Sequence, residues 1–152
     1  MKLGIFVFLV AVLTLSGRPV FALFTPDNRI TAARRLKITG GDWILAAVVI
    51  DSETARDFLT LLPMTVKAND YINREKYWPL PKALAAGHDR QREYERGDLG
   101  FWPSANAMAL FYNHDGSLFP NPGLIVVAKI TSNPEIFNRY PGPVELKIEL
   151  AD

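Results

Sequence analysis

An arginine set beside aromatic rings is the combination in this chain with the widest chemical reach. Arg74 lies in the stretch Asn73-Arg74-Glu75-Lys76-Tyr77-Trp78-Pro79-Leu80-Pro81, and Arg96 follows Tyr94 by two residues. A guanidinium that donates to a proline nitrogen inside an apolar pocket can lower the barrier of roughly 18 to 20 kcal/mol to rotation about a peptide bond. Either arginine could therefore serve a peptidyl-prolyl cis-trans isomerase, yet either is more simply explained as a surface charge.

Other chemistries find less support. His88 and His114 stand in separate polar turns with no spaced partner of the His-Glu-x-x-His kind, so no metal site is expected. Ser117, His114 and Asp115 share one turn, but proximity along the chain does not set triad geometry, and no Gly-x-Ser-x-Gly elbow occurs. Gly40-Gly41 is not followed by Lys-Ser or Lys-Thr leading into a helix, which removes a phosphate cradle. Arg96-Gly97-Asp98 matches an adhesion tripeptide by letters and is explained by a turn before a strand. No catalytic set and no cofactor are expected.

The aromatic and proline segment has two readings. In the first, Tyr77 and Trp78 plug one end of a barrel while Pro79 and Pro81 fix an extended path that needs no backbone donors. In the second, Asn73, Glu75, Tyr77 and Trp78 line the mouth of a groove together with Trp102 and Tyr112, and the stiff prolines preorganise it. Such a groove would take a small molecule or an extended peptide.

Compartment and size frame these readings. Lys2, the apolar run Ile5 to Leu13, a polar break at Ser16 to Pro19 and the compact residues before Ala22 form an export signal over residues 1–22. The run is shorter than the roughly 20 residues that span a bilayer, so an uncleaved anchor is only the alternative. The expected location is the periplasm or the extracellular space, with no membrane association once the signal is cleaved. The sequence has no cysteine, so packing alone must hold the fold. Cleavage leaves 152 − 22 = 130 residues, one domain able to bury about 65% of its unfolded surface. Lys2 and Arg18 leave with the signal, so 15 basic residues remain (17 − 2) against 16 acidic ones. A charge of −1 gives no basic face for nucleic acid.

Residues 23–34 lack any period and read as a flexible leader before a domain over residues 35–152. Leu36 and Ile38 alternate with Arg35 and Lys37, Gly40-Gly41 supplies a tight turn, and Trp43 to Ile50 returns as a second strand whose two apolar faces imply cover on both. Ser52 and Glu53 start a helix expected to reach Leu61, stopped by Pro63. Met64 to Ala68 is a third strand, after which regular structure is expected to lapse. Gly87 to Gly97 reads as a solvated charged loop, and strands follow at Leu99 to Trp102, Ala107 to Tyr112 and Leu124 to Ile130. Pro134 to Arg139 is a short capped helix, and Val144 to Leu150 alternates cleanly as the last strand. Its acidic outer positions complement Arg35 and Lys37, so the first and last strands should pair and close a barrel.

Several of these segments, in this order, resemble the bacterial cyclophilin-like domain family. They are Glu53 to Phe58, Leu61 to Thr65, Asp70-Tyr71, Arg74 to Tyr77, Leu80-Pro81, Gly97 to Leu99 with Trp102, and Leu110 to Tyr112. The resemblance spans Leu36 to Ile130. It implies a mainly β fold, a closed cyclophilin-like β-barrel with two short helices, and no particular activity. The Phe-rich and Gly-Gly-Asp-Phe block that surrounds the arginine of true cyclophilins has no counterpart here. Ile72-Asn73 stands where family members often carry Gly or Asn, and His88 to Arg96 is unusually charged.

Overall fold

The computed structural model describes residues 33–151. The export signal expected over residues 1–22, and the leader as far as residue 32, lie outside the described residues. Ala33 and Arg34, the end of the expected leader, are exposed and carry no regular structure.

Eight antiparallel strands close into a barrel. In chain order they are β1 (Arg35–Gly40), β2 (Trp43–Val49), β3 (Met64–Tyr71), β4 (Glu75–Pro79), β5 (Asp98–Trp102), β6 (Ala107–Phe111), β7 (Ile125–Ile130) and β8 (Val144–Leu150). Around the barrel they run β1-β2-β7-β5-β6-β4-β3-β8 and return to β1. Closure follows the charge pattern: Lys37 lies opposite Glu149 and Ile38 opposite Ile148. The Lys37 ammonium meets the Glu149 carboxylate at 2.6 Å on the outside, while the isoleucines face inward. Gly41, at φ +56°, makes the β1–β2 turn that L side chains resist.

Two helical segments stand where expected. In α1 (Glu53–Leu59) the Ser52 hydroxyl accepts from the Ala55 amide at 3.1 Å, and Ala55, Phe58 and Leu59 join the barrel core. The helix ends two residues short of Leu61 because Leu61 and Leu62 bond three residues back, to Phe58 and Leu59, in a tightened turn ahead of Pro63. Pro134–Arg139 is a 3-10 helix capped by Asn133, and one further 3-10 turn, Pro103–Ala105, links β5 to β6. The double cover expected for β2 is only partial, since Ile44 and Ala46 on its outer face are exposed.

Two stretches are more ordered than the sequence pattern implies. Regular structure does not lapse after Ala68: β3 continues to Tyr71, and β4 pairs with β3 on one side and β6 on the other. Its central position is hidden in the sequence because charged residues fall on both of its faces, Glu75 outward and Lys76 inward. Nor is the 87–97 loop simply solvated. Tyr94 is 2% exposed, stacks on Phe111 with ring centroids 4.1 Å apart, and belongs to a second apolar cluster with Phe119 and Leu124 on the outer side of β6. The aromatic anchor acts together with paired backbone hydrogen bonds between Gln91 and Leu124 and with bonds between Arg92 and Phe119.

Lys76 is fully buried. Its ammonium donates to Asp70 Oδ2 at 2.6 Å, to the carbonyl of Gly142 at 2.9 Å and to the carbonyl of Tyr140, so each of its three protons has an acceptor. The Tyr112 hydroxyl donates to the same Asp70 oxygen at 2.6 Å. Removing one partner of such a set leaves a buried charge uncompensated. Lys76→Met should therefore cost about 3 to 5 kcal/mol in urea unfolding, while Lys147→Ala, at a pair with Glu149 that is about half exposed on the lysine side, should cost about 1 kcal/mol or less.

Candidate functional site

The site grows out of the β3–β4 hairpin. Arg74 N–H donates to the Tyr71 carbonyl at 3.0 Å, and Ile72 (φ +47°) and Asn73 (φ +56°) occupy the two central positions. That is the geometry of a type I′ turn, which Asn-Gly or Asp-Gly adopts easily and a β-branched residue adopts under strain. Two side chains hold it: Asp70 Oδ1 accepts from the Asn73 amide at 2.9 Å, and Asn113 Nδ2 donates to the Asn73 carbonyl at 2.8 Å. Ile72 itself is 62% exposed. Its strain is therefore not repaid by burial in the chain.

Beyond the turn, alternation along β4 sends Glu75, Tyr77 and Pro79 to the outer face and Lys76 and Trp78 to the interior. The outer side chains border a cavity of about 600 Å³ whose walls include Tyr71, Tyr77, Trp102, Ala109 and Leu118. At its head sit Arg74 and Glu75, with side chains only 9% and 7% exposed, joined from Nε to Oε2 at 2.8 Å. Arg74 Nη1 reaches the Ser117 hydroxyl at 3.2 Å and lies 3.6 Å from Asp115 Oδ2. The guanidinium carbon lies 5.4 Å from both the Tyr71 and the Tyr94 ring centroids, within cation–π range.

Electrostatics follow from this crowding. Burial pushes the Glu75 carboxyl up, Asp115 and Asp70 add to the push, and Arg74 opposes it without cancelling it. Burial works against the Arg74 charge, yet Glu75 outweighs it and holds the guanidinium pKa above its ordinary value. Hydrogen bonds from the Ser117 hydroxyl and amide hold Asp115 well below the carboxylate range. Burial would raise Asp70, but hydrogen bonds from Lys76, Tyr112 and the Asn73 amide outweigh it and keep the group ionised.

Of the residues named from the sequence, Glu75, Tyr77 and Trp102 converge on this cavity. Trp78 is buried in the core, as the plug reading has it, and Tyr112 belongs to the interior Asp70–Lys76 set, so alternation places both outside the groove wall. Asn73 forms the hairpin tip beside it. Arg74 is joined to the site, whereas Arg96 pairs with Glu135 on the surface. Tyr71 and Leu118 are wall residues that sequence reasoning missed. Tyr71 shares its outward parity with Glu75, its cross-strand partner, and that register was the available signal. The Ser117 hydroxyl donates to Asp115 at 2.5 Å while His114 Nδ1 accepts from the Gly116 amide, so Ser117 and His114 are not hydrogen-bonded to each other. A second cavity of about 600 Å³ borders Tyr94, His114 and Lys129. Its lysine is held by two carboxylates, with Lys129 Nζ at 2.6 Å from Glu95 and 3.2 Å from Asp98.

An eight-stranded closed barrel with a groove on its outer wall defines the class of protein. Residues 38–149 match the model of the cyclophilin-like family, and the chain belongs to that family. Among solved structures it is similar to the solution structure of the hypothetical protein AF2241 from Archaeoglobus fulgidus, at 20% identity and a TM-score of 0.64, over 78% of this chain and 95% of that one. That likeness is one of fold. No curated protein matches the chain.

Two outcomes test the site's local physics. Ile72→Gly removes a β-branched side chain from positive φ and should stabilise the domain by about 1 kcal/mol in thermal unfolding. A raised carboxyl binds its proton more tightly when folded than when unfolded, so stability grows as pH falls from the folded Glu75 value toward the ordinary glutamate value of about 4.3. Wild type should thus gain stability relative to Glu75→Gln as pH is lowered from 7 toward 4.5; a relative loss would mean that Arg74 outweighs burial.

Proposed function

We propose that this cyclophilin-like protein is an exported binding module that holds a small molecule or an extended peptide in the outer groove of its barrel without turning it over. The observation that carries this reading is a preformed cavity of about 600 Å³ with aromatic walls and a buried ion pair at one end. Ligand sites typically occupy roughly 300 to 1,000 Å³ and combine apolar walls with a few fixed polar groups. The Arg74–Glu75 pair is held by packing and by Ser117, so little ordering is left to oppose binding. Export to the periplasm or the extracellular space rests on the N-terminal sequence pattern.

One observation favours a second reading, prolyl isomerisation: Arg74 faces the groove in the company of aromatic rings. Its Nε is already committed to Glu75, which leaves less of the guanidinium for a proline nitrogen.

Screening a peptide and metabolite library by protein-observed NMR against the purified protein should give ligands that perturb β4, β6 and Trp102. Tyr77→Ala and Trp102→Ala should each weaken the best of them by about tenfold, the loss of one aromatic contact. An absence of ligands together with acceleration of Xaa-Pro exchange that Arg74→Ala abolishes would replace this reading with the second.

A further inference from the structure

Glu75 is a buried carboxylate with a donor on one of its two oxygens among the described residues. Oε2 accepts from Arg74, and among the described residues Oε1 accepts from nothing. A carboxylate with 7% of its side chain exposed ordinarily has donors on both oxygens. Arg74 does not make up the deficit. Its Nε serves Glu75, its Nη1 serves Ser117 beside Asp115, and its carbon lies near the Tyr71 and Tyr94 rings. At the head of the groove two carboxylates, on Glu75 and Asp115, face one cation, Arg74, while Asp70 and Lys76 pair with each other inside the barrel, so one negative charge is left over. An anionic ligand would meet that surplus and be repelled.

The walls supply the complementary half. Tyr77 and Trp102 border the same cavity as Glu75, and aromatic faces attract a cation most strongly where water is excluded.

We propose that the groove selects ligands carrying a protonated nitrogen, which donates to Glu75 Oε1 while an apolar body lies along Tyr77, Trp102 and Leu118. The inference rests on the groove being a binding site and names the chemistry of its ligand. An arylalkylamine and a lysine side chain flanked by an aromatic residue both carry that chemistry.

The test titrates the purified protein, observed by NMR, with phenethylamine, 2-phenylethanol and 3-phenylpropionate. A peptide arm compares acetyl-Phe-Lys-amide with acetyl-Phe-norleucine-amide. Phenethylamine should bind about tenfold or more tightly than the alcohol, and the propionate should bind weakest. Glu75→Gln should bring the amine down to the level of the alcohol, and Tyr77→Ala, at a half-exposed position away from the ion pair, should weaken the amine without loss of the folded spectrum. Preference for the lysine peptide over both phenethylamine and the norleucine peptide assigns the cation to a peptide, and preference for phenethylamine assigns it to a small molecule. Equal binding of alcohol and amine, or an amine affinity indifferent to both substitutions, overturns the inference. If uncharged library ligands occupy the groove while neither cation binds, charge selectivity falls and the binding reading stands.

Discussion

An ammonium group enclosed in an apolar barrel must find an oxygen for each of its protons, and at Lys76 that demand organises one end of this molecule. The acceptors come from β3 (Asp70) and from the two carbonyls at Tyr140 and Gly142, which lead into β8. The β3–β4 hairpin and a segment 64 to 66 residues further along the chain are thereby drawn to one point. The nearby rings of Tyr112 and Phe137 present their faces to the same charge, at 5.5 and 5.9 Å from the nitrogen. A slip of β4 by one residue would turn Lys76 into solvent and drive Glu75 and Tyr77 inward, so the interior cation also fixes the register of the strand that carries the groove.

The outer face of that strand carries its own charge requirement. Arg74 and Glu75 are adjacent in sequence, and the turn that sets their direction requires positive φ at Ile72 and Asn73. An isoleucine at such a position, projecting into solvent, is a local conflict of the kind that concentrates where a protein binds something. The conflict lies beside an aromatic groove and a buried carboxylate with an open oxygen. Structure and electrostatics thus converge on the same few residues, Tyr71 to Tyr77.

How far these features could be seen in advance depended on their physics. The β1–β2 hairpin, α1, the Pro134–Arg139 turn and β8 were legible because each carries a local signal: Gly-Gly at a turn, a serine cap, proline at a first turn, strict alternation. The pairing of β1 with β8 was legible because Lys37 and Glu149 mark the same face of two strands. β4 was not, since alternation of hydrophobicity fails when a lysine sits in the core and a tyrosine on the surface. The groove was half legible for the same reason. Glu75, Tyr77 and Trp102 were recognised by residue type, but parity sends Trp78 and Tyr112 inward and brings Tyr71 and Leu118 to the wall.

By itself the sequence determined the strand periods, the absence of disulfides and the near-neutral charge of the expected exported chain, because each of these depends on neighbours along the chain or on the count of residue types, and it marked the closure of the sheet through complementary charges on its first and last strands. Only the tertiary structure decided which aromatics face the groove and which charges find partners. Inside or outside is a property of a side chain relative to strands far away in sequence, and the low dielectric that gives Glu75 and Lys76 their meaning exists only once those strands have closed around them.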